Sequence, residues 1–231
     1  MIFRRSEPLP RRFHDRRDAG QALASLLRHY AGDPRVLVLA LPRGGVPVAH
    51  EIAAALGAPL DVFVVRKLGV PGHEELALGA IATGRTLVLN DDVVRALRIT
   101  TDVIEAVAAQ EGRELERRER TYRGDRPAVD PKGRVVIVVD DGLATGATMR
   151  AAVRALRDRG AERLVVAVPV AAPTTCDDFR LEVDEIVCAM TPEPFEAVGL
   201  WYEDFSQTTD AEVEGILRES GGGRRESSAS D

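Results

Sequence analysis

Two rhythms of apolar and polar positions run along the chain. The aliphatic runs from Arg35 to Leu41, Leu60 to Arg66, Arg134 to Val139 and Leu164 to Val170 are short, continuous and rich in β-branched residues, with Glu185 to Ala189 a weaker fifth. Such runs predict strands buried on both faces, as in a parallel sheet. Between them the period lengthens to that of a helix. Residues 15–30 put Ala19, Ala22, Leu23, Leu26, Leu27 and Tyr30 on one stripe behind an Asp15 cap, and residues 47–57 form an alanine-rich helix closed by Gly57. Asp102 to Tyr122 sets Ile104, Val107, Ala108 and Leu115 on one side, with Glu114/Arg118, Glu116/Arg120 and Glu119/Arg123 as four-apart pairs on the other. Met149, Ala152, Val153 and Leu156 mark a further helix ended by Gly160, and Thr209 with Glu212 makes a capping box for a helix over Thr209 to Arg218. Residues 67–90 keep neither rhythm. Gly69, Pro71-Gly72, Gly79 and Gly84 split them into strand-like pieces, Leu76 to Thr83 and Thr86 to Asn90, which predicts a mobile loop or a hairpin. Strands alternating with helices predict an α/β fold on a parallel sheet.

The chain has 231 residues, 45% hydrophobic and 29% charged, which suits one domain or one domain with a small appendage. No apolar run approaches the ~20 residues needed to cross a bilayer. The N-terminus lacks the apolar core of a secretory signal, so a cytoplasmic location is the expectation, with no membrane partner. Cys176 and Cys188 have neither metal-ligand spacing nor the density of a disulfide scaffold and read as core residues. A net charge of −6 argues against a nucleic-acid binder, although Arg4, Arg5, Arg11, Arg12, Arg16, Arg17, Arg28 and Arg35 make residues 4–35 basic. Such a run reads as a solvated face. Two scarcities matter more. Of 31 basic residues only Lys67 and Lys132 are lysines, and although aromatics make up only 4% of the chain, Phe195, Trp201, Tyr202 and Phe205 lie within eleven positions.

In an open parallel sheet ligands bind beyond the carboxyl ends of the strands, and three strand ends here carry chemistry. At the first, Asp140 and Asp141 are followed by Gly142, Leu143, Ala144, Thr145, Gly146, Ala147 and Thr148. The small residues let backbone N–H groups and two threonine hydroxyls surround an anion at a helix start, while the carboxylates can accept from sugar hydroxyls or hold hydrated Mg²⁺. Together they describe a receptor for a sugar phosphate. At the second, Gly44 and Gly45 of Pro42-Arg43-Gly44-Gly45 can turn amides to a ligand, and Arg43 offers a planar fork to phosphate oxygens. The third is Arg66-Lys67. Walker A, G-x-G-x-x-G and G-x-S-x-G patterns are absent, which sets aside P-loop NTPases, ordinary dinucleotide binders and serine hydrolases.

The stretch from Val136 to Met149 resembles the signature of type I phosphoribosyltransferases, which bind phosphoribosyl pyrophosphate. The resemblance extends in element order over about residues 35–205 and is closest to a bacterial branch with Asp15-Arg16-Arg17 near the N-terminus and the Pro-Arg-Gly-Gly loop. It implies a parallel-sheet fold with a flexible loop and a small C-terminal hood. On that pattern residues 1–34 are an N-terminal helical arm and 35–219 the phosphoribosyltransferase domain, with the loop or hairpin and helix at 67–130 and the hood at 190–219. Residues 220–231 are a disordered tail.

The resemblance assigns Ala144 to Thr148 to the 5-phosphate, Asp140 and Asp141 to the ribose hydroxyls and, through water, to Mg²⁺ as cofactor. Arg43, Gly44 and Gly45 fall to the pyrophosphate, Arg66 and Lys67 to the phosphates, and Phe195 or Trp201 to a small planar acceptor. Arg43 and Lys67 would stabilise the leaving group, with Asp141 the candidate base. The stretch Gly69 to Gly84 is the candidate closing loop; on it His73 reads as an exposed histidine or a phosphate donor. The implied reaction transfers 5-phosphoribosyl to a nitrogen acceptor, a nucleobase by analogy, and releases pyrophosphate. A phosphoribosyl pyrophosphate-sensing regulator, hydrolysis with water as acceptor, and a diphosphate synthetase remain as rivals, and the resemblance leaves homodimer formation open.

Overall fold

The computed structural model describes residues 12–222. Arg4, Arg5, Arg11 and the tail residues 223–231 lie outside the described residues. Asp15 caps the first helix, α1 (Arg16–Leu26), by accepting from the amides of Arg17 and Asp18. The chain then runs through β1 (Val36–Ala40) and α2 (Gly45–Leu56) to β2 (Leu60–Val62). This strand is shorter than its aliphatic run. Phe63 and Val64 are buried in the link between the two sheets, and β3 (Val65–Val70) starts a second sheet with β4 (His73–Ala82) and β5 (Thr86–Leu89). Arg66 and Lys67 therefore stand inside a strand of the second sheet, one strand later than expected.

The second sheet is antiparallel, in the order β3-β4-β5, so Gly69 to Gly84 is a paired hairpin and not a loose loop. Only the tip projects, with His73 to Leu76 exposed. Two short helices escape the sequence periodicity, α3 (Asp91–Ala96) and α6 (Pro173–Phe179). Helix α4 (Thr101–Arg123) packs on β3 and β4. Its last residue, Arg123, donates to Asp61 at 2.7 Å in a buried pair that ties the helix to β2.

The main sheet is parallel in the order β2-β1-β6-β7-β8, with β6 (Val135–Val139), β7 (Arg163–Val170) and β8 (Glu185–Met190). Every residue of β1 and β6 is buried. Alternate side chains enter two cores. Val36, Val38 and Ala40 pack with α2, whereas Leu37 and Leu39 pack with Val136, Val138 and helix α5 (Ala147–Asp158). Strand order thus reverses between β1 and β6, and the connections leaving these neighbours diverge to opposite faces. A crevice opens at such a switch point, bordered here by Pro42 to Gly45 and by Asp140 to Thr148. The last helix, α7 (Asp210–Gly222), has the expected capping box: Thr209 N donates to Glu212 at 2.7 Å, and Glu212 N donates back at 3.2 Å. It continues through residues 220–222, so the helix takes in the first positions assigned to the tail.

Candidate functional site

The cradle between β6 and α5 is built from backbone. The carbonyl of Ala144 accepts from Thr175 Oγ1 at 2.6 Å, that of Thr145 from Arg150 Nη1 at 2.7 Å, and that of Gly146 from Arg150 N at 2.8 Å. In a trans peptide the N–H points opposite to the preceding carbonyl, so the N–H groups of Thr145, Gly146 and Ala147 turn to the other side. Ala144, Thr145, Ala147 and Thr148 are exposed there, and no side chain caps α5. A helix start with free N–H groups attracts an anion. Gly146 makes the bend at φ +74°, and a Cβ there would sit 2.6 Å from Phe179, so glycine is required on both counts.

The acidic pair faces the loop after β1 at very close range. A Cβ on Gly44 would fall 1.9 Å from Asp141 Oδ2, and one on Gly45 would fall 2.6 Å from the Val139 carbonyl. These glycines serve close approach. The Gly45 amide is already donated to Leu41 O at 3.1 Å, so it is not turned to a ligand as expected. Asp140 is half-buried and accepts from Asp141 N at 2.8 Å. Burial, and then the charge of Asp141, push its carboxyl well above the usual carboxylate range.

The remaining expected residues divide. Arg43 is part-exposed, with its nearest carboxylate, Asp210, at 3.7 Å, which leaves its fork available. Arg66 is committed elsewhere. Its Nε and Nη2 donate to Glu111 at 2.9 and 2.6 Å, an anchor between β3 and α4 in place of an open phosphate contact. Lys67 is half exposed and 3.9 Å from the fully exposed Glu75. With Ala147 and Thr148 it lines a cavity of about 370 Å³ between the hairpin sheet and α5, so the lysine and the cradle share one space.

The hood differs more. Phe195 and Trp201, expected to stack on an acceptor, pack against an apolar cluster of Phe13, Ala19, Val170 and Tyr202. The buried indole Nε1 of Trp201 has no hydrogen-bond partner among the described residues. The aromatic that touches the acidic pair is Tyr202, and Phe205 lies behind it against Arg16. Arg16, from the arm read as a solvated face, lies with Cζ 4.0 Å from the Phe205 centroid and donates through Nε to Asp141 Oδ2 at 2.9 Å. Tyr202 donates its hydroxyl to the Asp141 carbonyl at 2.6 Å, and burial, then the Asp141 charge, push that phenol upward. The signals that could have pointed to Arg16 were its place in the Asp15-Arg16-Arg17 triplet and directly after a helix cap.

The family model for the phosphoribosyl transferase domain matches residues 13–189. Rv0571c of Mycobacterium tuberculosis, provisionally named a phosphoribosyl transferase, is 48% identical over 205 residues, 89% of this chain and 46% of that protein. The chain thus spans about half the length of that relative. The ribose-phosphate pyrophosphokinase of Methanopyrus kandleri is 31% identical over 182 residues, 68% of this chain and 62% of its own. The crystal structure of TT1426 from Thermus thermophilus matches with a TM-score of 0.80 at 46% identity, covering 90% of this chain and 98% of that one.

Proposed function

The chain belongs to the phosphoribosyl transferase family, and on that premise we propose that it transfers 5-phosphoribosyl from phosphoribosyl pyrophosphate to a nitrogen acceptor, a nucleobase by preference, releasing pyrophosphate. The observation that carries this reading is the cradle, whose three carbonyls are tied back while an acidic pair stands at its entrance. The N–H groups of Thr145, Gly146 and Ala147 would hold the 5-phosphate. Asp140 and Asp141 Oδ1 would accept from the ribose hydroxyls.

As the C1′–O bond to pyrophosphate breaks and the bond from the acceptor nitrogen forms, positive charge grows on the sugar and negative charge on the leaving group. Arg43 and Lys67 would receive that negative charge, and the cradle would hold the sugar in line for attack. Among the described residues no cluster of three metal-ligating side chains exists, so the acidic pair fits Mg²⁺ only as a partner held jointly with substrate oxygens and water. Bound that way, the ion would neutralise pyrophosphate charge. A proton leaving the acceptor would go to Asp140 in preference to Asp141, because Asp141 Oδ2 is already engaged by Arg16.

The test is pyrophosphate release from phosphoribosyl pyrophosphate and Mg²⁺ with purines, pyrimidines, nicotinate or water, beside an arm with ribose 5-phosphate and ATP. Release with a nitrogen base, reduced about 100-fold or more by Asp140→Asn with Asp141→Asn, is expected. Ligand binding without turnover would favour a sensor, turnover with water alone a hydrolase, and product only in the ATP arm a pyrophosphokinase.

A further inference from the structure

The N-terminal segment reaches the site through backbone pairing with the hood. Phe13 N donates to Trp201 O at 2.9 Å, Glu203 N to Phe13 O at 2.8 Å, and Asp204 N to His14 O at 2.9 Å. Asp15 then caps α1, which fixes Arg16 as its first residue and aims that side chain at the end of β6. The guanidinium is held on three sides. Nε and Nη2 each lie 2.9 Å from Asp141 Oδ2, Nη1 donates to Ser206 O at 2.7 Å, and the plane lies against Phe205. Its side chain is only 12% exposed. A fork held by a carboxylate, a carbonyl and a ring has one orientation, which lysine cannot reproduce.

Asp141 is equally enclosed. Its Oδ2 lies between Arg16 and the α-carbon of Gly44, its N–H donates to Asp140, and its carbonyl accepts from Tyr202. Among the described residues only Oδ1 accepts no hydrogen bond. A carboxylate on a strand-end residue would otherwise rotate about χ1 and χ2 and present either oxygen. Charge matters as well. Phosphoribosyl pyrophosphate is a multiple anion, and two bare carboxylates beside its sugar would repel it; Arg16 compensates one of them at Oδ2.

We infer that Arg16 is a positioning residue for the ribose subsite, holding Asp141 so that Oδ1 alone faces the sugar and coupling the N-terminal segment and hood to substrate affinity. This rests on the phosphoribosyl reading of the site. Arg16 does not itself touch the transferred group; it acts through Asp141.

A double-mutant cycle read by calorimetric titration with phosphoribosyl pyrophosphate and Mg²⁺ tests it. Arg16→Gln is expected to weaken binding about tenfold or more, in line with loss of a charged hydrogen bond. Arg16→Lys should recover part of the loss, and in steady state the defect should appear in KM more than in kcat. In an Asp141→Asn background the same Arg16→Gln change should cost little further. Unchanged binding by Arg16→Gln, or a loss that persists in full without the Asp141 carboxylate, overturns the inference while leaving the functional reading intact. Failure of the wild-type protein to bind overturns both. Arg16→Lys, which keeps the cation and the stem, supplies the comparison if the glutamine variant does not fold.

Discussion

The cradle after β6 and the seam between the N-terminal segment and the hood flank the same acidic pair but are built by different means. The cradle is backbone: its N–H groups are aimed by carbonyls tied to Thr175 and Arg150, and its residues are contiguous. The seam is stitched by backbone at Phe13 and His14, but what it brings to the acidic pair is side chain, joining Arg16, Tyr202 and Phe205 to Asp141 from three distant stretches. Backbone recognition tolerates any small residue that keeps the bend. Side-chain recognition depends on each group and on the packing that holds it.

Substitutions should separate the two regions. The largest effect is expected where they meet, at Gly44. Gly44→Ala places a methyl group against Asp141 Oδ2 and Arg16 at once, costing about 1–3 kcal/mol of stability as overpacking does. Phosphoribosyl pyrophosphate binding should weaken in step, which denaturant titration and calorimetry would show. On the cradle side, Thr175→Val leaves the Ala144 carbonyl without its donor at about 1 kcal/mol. Affinity for ribose 5-phosphate should fall several-fold while affinity for a free nucleobase stays. On the seam, Tyr202→Phe keeps the ring against Phe13 and Phe205 but removes the hydroxyl from Asp141 O, again at about 1 kcal/mol. Here the outcome to look for is a rise in KM for phosphoribosyl pyrophosphate.

The smallest effect belongs to His14, whose ring lies 2.9 Å from Glu203 across the seam and whose pKa is raised above 6.5 chiefly by that hydrogen bond. A raised folded-state value means the contact stabilises fully below the unfolded value and is lost as pH rises through the folded one. The difference in Tm between wild type and His14→Gln should therefore be present at about pH 5.5 and vanish by about pH 8.5. An equal difference at both pH values would show that protonation plays no part.

The same division governs what could be read from the chain. Asp140 to Thr148 follows a continuous aliphatic strand and opens a helix, so strand, loop and cradle were legible together, as were the caps at Asp15 and Thr209. Arg16 was not, because its partner is 125 residues away and a basic N-terminal run ordinarily faces water. The end of β2 was hidden as well: Phe63, Val64 and Val65 are as apolar as the strand before them, and only tertiary pairing shows the chain turning into a second sheet. That misplaced Arg66, whose commitment to Glu111 on α4 no local pattern signals. Helices α3 and α6 are too short to establish a period, although Asn90 and Pro173 mark their starts. In the hood, spacing gave four aromatics but not their directions, and Tyr202, with Phe205 behind it on Arg16, rather than Trp201 or Phe195, reaches the acidic pair.

Phosphorus NMR of phosphoribosyl pyrophosphate titrated with the protein and Mg²⁺ tests the central claim most directly, because the 5-phosphate and the pyrophosphate give separate resonances. The 5-phosphate resonance is expected to shift and broaden with wild-type protein, and Asp140→Asn with Asp141→Asn to weaken the response about tenfold or more in a folded variant. A 5-phosphate resonance unmoved by wild-type protein, or moved equally by the double variant, would contradict it.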